Sequence, residues 1–202
     1  MRTFFMLFLL GFACSIQAQD SEKMQYLLDG NVKVSGFGGP TIDFSSIKGE
    51  LAVSNGGGGA VLLNNTYFFG GYGTGLSNRI QLDVGSIDNA NLRFGHGGLW
   101  LGYIHKPEQM IHFGGSLKLG WGHVDLDQRD FNIIGSPRLL DDNVFVLVPQ
   151  GEVEVNVTKW FKINAALGYR AVTGLSDNDY LEGSDLSSLN FSLGFLFGWY
   201  GR

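Results

Sequence analysis

Apolar residues alternate with small or polar ones along much of this chain. Near the C-terminus, Leu189, Phe191, Leu193, Phe195, Phe197 and Trp199 alternate with Asn190, Ser192, Gly194, Leu196 and Gly198, so an extended segment has one wholly apolar face. The stretch before it repeats the pattern, with Phe161, Ile163, Ala165, Leu167, Tyr169 and Ala171 against Lys162, Asn164, Ala166, Gly168 and Arg170. Period two over about ten residues is the length a tilted strand needs to cross a hydrocarbon layer. Upstream, the same test predicts eight strands in all, near residues 31–46, 49–63, 66–76, 92–105, 110–124, 144–157, 161–173 and 188–200. The fourth alternates poorly, and the second contains Gly56-Gly57-Gly58-Gly59.

The connections have a rhythm of their own. Tight turns fall at Asn64-Asn65, at 106–109 and at Thr158-Lys159-Trp160, whereas longer polar loops fall at 77–91, 128–143 and 173–187. Short turns on the periplasmic side and larger loops outside are the pattern of a transmembrane β-barrel, and an even strand number places both termini in the periplasm. The predicted fold is therefore all-β, a closed antiparallel up-and-down barrel of eight strands. Residues 79–84 offer an extra hairpin arm, which keeps ten strands as an alternative. Pro40 and Pro149 cannot donate a ladder hydrogen bond, so each predicts a bulge or a strand portion above the membrane.

Alternation does not say which face points inward. A soluble lipocalin-like barrel has the same period with its apolar face lining a ligand cavity. Two features favour the membrane arrangement. Tyr67, Phe68, Tyr103, Trp160, Phe161, Trp199 and Tyr200 gather at strand ends on the periplasmic side, as an aromatic girdle would. Glycine and serine dominate the other face, a poor core for a soluble barrel but suited to a narrow lumen. Leu189, Phe191, Leu193, Phe195 and Phe197 are then expected to face lipid.

Residues 1–19 read as an export signal, with Arg2 at the start, an apolar run from Phe4 to Ala13 and a small-residue cleavage site at Ser15-Ile16-Gln17-Ala18. The run is too short for a spanning helix. Cys14 raises lipoprotein processing as an alternative, although Phe12 is bulky for that motif. Residues 20–30 form a short periplasmic lead, in which Tyr26-Leu27-Leu28 offers one more short element, and 31–202 form one barrel domain. Without Cys14 the mature chain has no cysteine and hence no disulfide or thiol-based site. Glycine, at 31 of 202 residues, is about twice its usual share without a collagen period. A net charge of -5 disfavours nucleic acid.

The chain resembles the small OmpA/OmpX-like outer-membrane barrel proteins of Gram-negative bacteria. The resemblance spans the mature chain and rests on Gly36-Phe37-Gly38-Gly39-Pro40, on the run from Pro149 through Glu152, Glu154 and Asn156 to Trp160-Phe161, and on the aromatic last strand. It implies an outer-membrane location, contact with membrane lipid and lipopolysaccharide, and insertion by the barrel-assembly machinery. Such proteins often end in an aromatic residue, whereas here Gly201-Arg202 follows Tyr200.

Candidate chemistry is sparse. Glu152 and Glu154 stand about 7 Å apart on one face and are expected to share the lumen with Lys33, Lys118, Lys162 and Arg170. Buried charges need partners, so salt bridges across the interior are predicted, with a gated pore as the functional version. A lipid A deacylase resemblance would need a His followed two positions later by Ser, but His96, His105, His112 and His123 are followed there by Gly98, Pro107, Gly114 and Asp125. His123, Asp125 and His96 make a weak metal constellation. Asp125, Asp127, Asp130, Asp141, Asp142, Asp177, Asp179, Glu182 and Asp185 make the outer loops acidic, and such oxygens suit Ca²⁺ or Mg²⁺, yet no EF-hand spacing is present. Gly56 to Gly59 lacks the Lys-Ser or Lys-Thr of a phosphate loop. No catalytic, cofactor or metal residue is assigned. The expectation is a non-enzymatic barrel serving envelope integrity or surface-loop binding, with a small pore or transporter, a lipid A-modifying enzyme and a lipocalin-like binder as alternatives.

Overall fold

The chain divides into two units, Met1–Val32 and Lys33–Arg202, and the computed structural model describes residues 32–84, 87–127 and 138–200. The predicted signal and lead, Cys14, Asp130 and Gly201-Arg202 lie outside the described residues. Nine strands carry most of the rest: β1 (Val34–Ile47), β2 (Glu50–Leu63), β3 (Tyr67–Leu76), β4 (Ile80–Val84), β5 (Ile87–His105), β6 (Ile111–Asp127), β7 (Arg138–Asn156), β8 (Phe161–Thr173) and β9 (Ser188–Trp199). A one-turn helix, α1 (Gly183–Leu186), precedes β9.

Eight strands close an antiparallel up-and-down barrel in the order β3-β2-β1-β9-β8-β7-β6-β5, shut by pairing of β3 with β5 from Tyr67↔Tyr103 to Gly75↔Gly95. β4 stands off the ring and pairs with the start of β5, Ile80 opposite Leu92 and Leu82 opposite Ala90. The hairpin arm at 79–84 thus forms, but its partner is an extension of a barrel strand, and the ten-strand alternative falls. β5 and β7 also begin earlier than alternation predicted, because their first residues run past the ring into this outer layer.

Of the two outcomes predicted for Pro40 and Pro149, the bulge forms at neither. Gly38↔Phe197 and Thr41↔Gly194 keep one register across Pro40, as do Leu147↔Ala171 and Gln150↔Gly168 across Pro149. In an antiparallel ladder a residue directs its N–H and C=O to the same neighbour, so a proline weakens pairing on one side only. Pro40 still lies opposite Gly57, and Pro149 opposite Leu117. Register shifts occur instead at Leu82/Val84 and Leu126/Asp127.

Two connections are tight turns built on two consecutive left-handed residues, Asn64 (φ 53°) and Asn65 (φ 54°) within the three-residue link 64–66, and Lys48 (φ 50°) with Gly49 (φ 87°) as a two-residue link. The first belongs to the end of the barrel that carries the short turns, the turn end. The second lies at the opposite, loop end, where it is the tight exception among longer connections.

Inside, apolar side chains pack at both ends. Phe37, Leu62, Phe68, Trp100, Ile104 and Leu196 form a cluster at the turn end, with Phe37, Phe68 and Trp100 in mutual edge-to-face contact at 5.3–5.5 Å. Gly102 makes this possible, because a Cβ there would fall on the Phe68 ring. At the loop end Ile47, Leu92, Val124, Leu126 and Leu140 pack with Leu82 of β4 and with Leu181 and Leu186 of the last loop.

Candidate functional site: the outer wall and the polar interior

The outer wall carries the apolar residues. Along β6 the outward positions are Ile111, Phe113, Gly115, Leu117, Leu119 and Trp121, followed by His123, Asp125 and Asp127. Phe113 and Trp121 are more than three-fifths exposed. The span from Ile111 to Trp121 is about 33 Å along a strand, or about 25 Å of height at a 40° tilt, the height of a barrel's lipid-facing band. Above Trp121 the wall turns polar across three strands. Arg93 contacts Asp125 (3.6 Å) and Asp127 (2.9 Å), and His123 contacts Asp141 (3.3 Å).

The residues expected to face lipid lie on this wall: Leu189, Phe191 and Phe197 are exposed and Leu193 and Phe195 half-buried, while Asn190, Ser192 and Leu196 between them are buried. Of the expected girdle, Tyr67, Tyr103, Trp160 and Trp199 are exposed and Phe161 is half-buried at the turn end. Their rings touch one another and their neighbours, Tyr67 with Tyr103 at 5.3 Å and Phe161 with Phe197 at 5.0 Å. Phe68 and Tyr200 do not join them. Strand period sends Phe68 inward between Tyr67 and Phe69, and Tyr200, past the end of β9, turns in to stack on Phe37 at 6.5 Å. Burial, and then the Glu154 charge, raise the Tyr200 phenol above its ordinary pKa.

The interior polar residues make two groups. Toward the turn end, Glu154 (2% exposed) accepts from His112 Nε2 at 2.9 Å and Lys162 Nζ at 3.1 Å. The second ring nitrogen of His112 meets the Gln109 carbonyl at 3.0 Å, and Lys162 lies over the Tyr200 ring at 4.3 Å. Glu152 accepts from Gln150 (2.7 Å), from Asn164 (3.0 Å) and from Ser116. In mid-barrel, Asp43 accepts from Thr74 at 3.1 Å and from Ser192.

The six expected lumen charges therefore divide. Glu152, Glu154 and Lys162 come together. Lys33 is exposed at the entrance to β1 and belongs to no interior group. Lys118 and Arg170 are buried, yet among the described residues neither has a carboxylate within ion-pair distance. Lys118 lies 5.4 Å and 5.5 Å from the Tyr72 and Trp100 rings. Arg170 donates to Leu186 O (2.9 Å), Ser45 Oγ (2.9 Å) and Ser46 O (3.2 Å) over the Phe94 face. Neutral acceptors and aromatic faces take the place of most of the expected ion pairs. His112, weighed only for lipid chemistry, and Asp43 were not among the expected lumen charges, although period two puts His112 inside and opposite Glu154 once the register is known.

The histidine constellation is split by the same period. His96 faces inward, 3.1 Å from the Tyr72 hydroxyl, whereas His123 and Asp125 lie on the wall, because Gly122 rather than His123 stands opposite His96. At the loop end Asp142 accepts from the Ser176 amide and hydroxyl, and Asp185 accepts from the Glu182 amide. Among the described residues no three His, Asp or Glu side chains converge as metal ligands would.

No family model and no curated protein matches the sequence. Solved structures match in fold. Neisserial surface protein A aligns at 12% identity with a TM-score of 0.59, over 83% of this chain and 99% of that one. The outer membrane protein OprG from Pseudomonas aeruginosa aligns at 11% identity and 0.52, over 83% and 96%. The attachment invasion locus protein Ail of Yersinia pestis, in complex with the heparin analogue sucrose octasulfate, aligns at 14% and 0.51, over 82% and 97%. The chain thus has the fold of small outer-membrane β-barrels.

Proposed function

We propose that this chain is a non-enzymatic, non-conducting barrel of the outer membrane that anchors an ordered loop-end platform. The outer wall carries the proposal: its apolar band has the height of a bilayer core and ends where Arg93, His123 and Asp125 begin. The turn end is then periplasmic and the loop end extracellular. A lipocalin-like reading needs the reverse arrangement, polar outside with an apolar cavity within, and here the inner apolar side chains pack against one another. The side chains that fill the bore support the non-conducting assignment. The interior position of His112 and Glu154 supports the absence of lipid chemistry, since lipid substrates would meet the wall.

The platform is the β4–β5 hairpin, the early part of β7 and the last loop, which Arg170 holds from inside and Lys48 from the rim, through Asp185 O at 2.9 Å and Tyr180 O at 3.1 Å. Its carboxylates, among them Asp141, Asp177, Asp179 and Glu182, favour a neutral or cationic partner over a polyanion such as the heparin analogue bound by Ail.

The test is migration of purified outer membranes on SDS gels with and without boiling, followed by planar-bilayer recording. Faster migration of the unboiled protein and no conductance steps are expected, in the wild type and in Glu152→Gln alike. Recovery in the soluble periplasm would overturn the membrane assignment, and steps that change in Glu152→Gln would overturn the closed bore.

A further inference from the structure

Asn55 is an exposed amide on the outer wall. The outward positions of β2 are otherwise apolar or glycine, with Leu51 and Val53 on the loop side of Asn55 and Val61 on its turn side. Leu51 to Val61 spans about 33 Å of strand, and Asn55 lies about 13 Å along it from Leu51, inside the apolar band. Among the described residues its amide has no hydrogen-bond partner. Lipid tails offer none, and a polar group left unpaired in hydrocarbon is unfavourable.

The wall beside Asn55 is bare of side chains across three strands. β2 sends Gly57 and Gly59 outward, β3 sends Gly71, Gly73 and Gly75, and β5 sends Gly97, in the same parity as the exposed Val61, Phe69 and Leu99. The register sets them side by side: Asn55 opposite Gly75, Gly57 opposite Gly73, Gly59 opposite Gly71 and Gly73 opposite Gly97. Glycine weakens a strand interior, yet nothing within this chain calls for it along β3. A Cβ at Gly73 would meet nothing within 4 Å, and one at Gly71 or Gly75 only a neighbouring carbonyl at ordinary contact distance, 3.4 and 4.0 Å. None of the three has the left-handed backbone that favours glycine.

One face thus joins an amide that lacks a partner to a surface on which another backbone can approach closely. The amide is self-complementary, with donors and an acceptor. All copies insert with the turn end on the same side, so a two-fold axis relating two of them runs along the membrane normal and keeps each residue at its own depth. Beside such an axis, Asn55 meets Asn55 of the second copy. On the membrane reading of the outer wall, on which this inference rests, we propose that the β2–β3–β5 face is the contact surface of a parallel homodimer. The glycine backbones pack face to face, and the two Asn55 amides pair by reciprocal hydrogen bonds across the axis.

The test is energy transfer between chains carrying donor and acceptor dyes at Glu108→Cys, on the exposed turn 106–109. The protein is purified from outer membranes and placed in phosphatidylcholine vesicles at decreasing protein-to-lipid ratios. Transfer above chance is expected, falling on dilution as a monomer–dimer equilibrium. Asn55→Leu should need about tenfold more protein for the same transfer, roughly threefold for each of two hydrogen bonds. Gly73→Leu should abolish transfer. Gly151→Leu, on β7 away from the patch, should keep the wild-type curve, since a Cβ there also meets nothing within 4 Å. Heat-modifiable migration checks that each variant is folded, and Gly75→Leu replaces Gly73→Leu if that variant is not. Chance-level transfer in a folded wild type would overturn the dimer, leaving the face to lipid and the membrane reading intact. Equal curves for Gly73→Leu and Gly151→Leu, or an unchanged curve for Asn55→Leu, would overturn it as well.

Discussion

Phe68 gives the sharpest test of the interior packing, because its place inside the barrel depends on a glycine. The ring is 4% exposed and contacts Phe37 and Trp100 edge to face, whereas its neighbour Phe69, on the wall, is 57% exposed. Phe68→Ala is expected to cost about 3–5 kcal/mol, the range for emptying a buried aromatic site. Gly102→Ala alone should cost about 1–3 kcal/mol, since its methyl enters the volume of the ring and overpacks the cluster. The two effects should not add. Once Phe68 is an alanine, the methyl at 102 meets open space, so the double variant should be no less stable than Phe68→Ala, a coupling of about 1–3 kcal/mol. Urea unfolding in lipid vesicles, followed by tryptophan fluorescence, measures all four corners of the cycle. Additivity within about 0.5 kcal/mol would refute the contact, and a Phe68→Ala cost below about 1 kcal/mol would return Phe68 to the lipid-facing belt, where a truncation leaves no buried cavity.

Three further outcomes follow from the same geometry. Leu193→Arg puts a cation on the lipid face near mid-wall and should cost about 2–4 kcal/mol, seen as loss of the heat-modifiable form in outer membranes; normal assembly would contradict the facing of β9. Arg170→Met removes the hydrogen bonds to Leu186 and Ser46 that hold the last loop, so limited proteolysis should cut within residues 174–187 faster than in the wild type, and an unchanged cleavage map would show that Lys48 and the apolar contacts suffice. The raised pKa of Tyr200 means that the folded state holds its proton more tightly than the unfolded chain, so stability is full below about pH 10, the ordinary tyrosine value, and falls as pH rises above it. Tyr200→Phe should flatten that alkaline decline in urea titrations, and an unchanged slope would remove Tyr200 from the linkage.

Period two made eight strands and the apolar outer face of β9 legible, because a spanning strand must keep one face apolar for its full length. It failed where strands leave that environment. The first residues of β5 and β7 pack against β4 and the last loop, so their pattern follows local packing and not a lipid boundary. Phe68 shows a second limit: an aromatic near a strand end reads as girdle until its parity is compared with that of Phe69 and with Gly102, its partner on the neighbouring strand. The lumen charges show a third. Which groups share the interior follows from parity, but which of them pair depends on the stagger between strands. That stagger puts His112 opposite Glu154 and sets Lys118 opposite Val148, beyond any acid.

The stagger bears on function as well. A gate built from interior charges needs cations and carboxylates that can exchange partners along the bore. Here Glu154 and Lys162 lie near the turn end, Glu152 is satisfied by a hydroxyl and two amides, and Arg170 is bound to backbone carbonyls, one of them in the last loop. Moving Arg170 toward Glu152 would unfasten that loop and strip three neutral donors from the carboxylate in the same step. The interior polar groups thus oppose rearrangement. Such an interior suits the rigid anchor proposed above, and under that proposal specificity falls to the platform that Arg170 fastens.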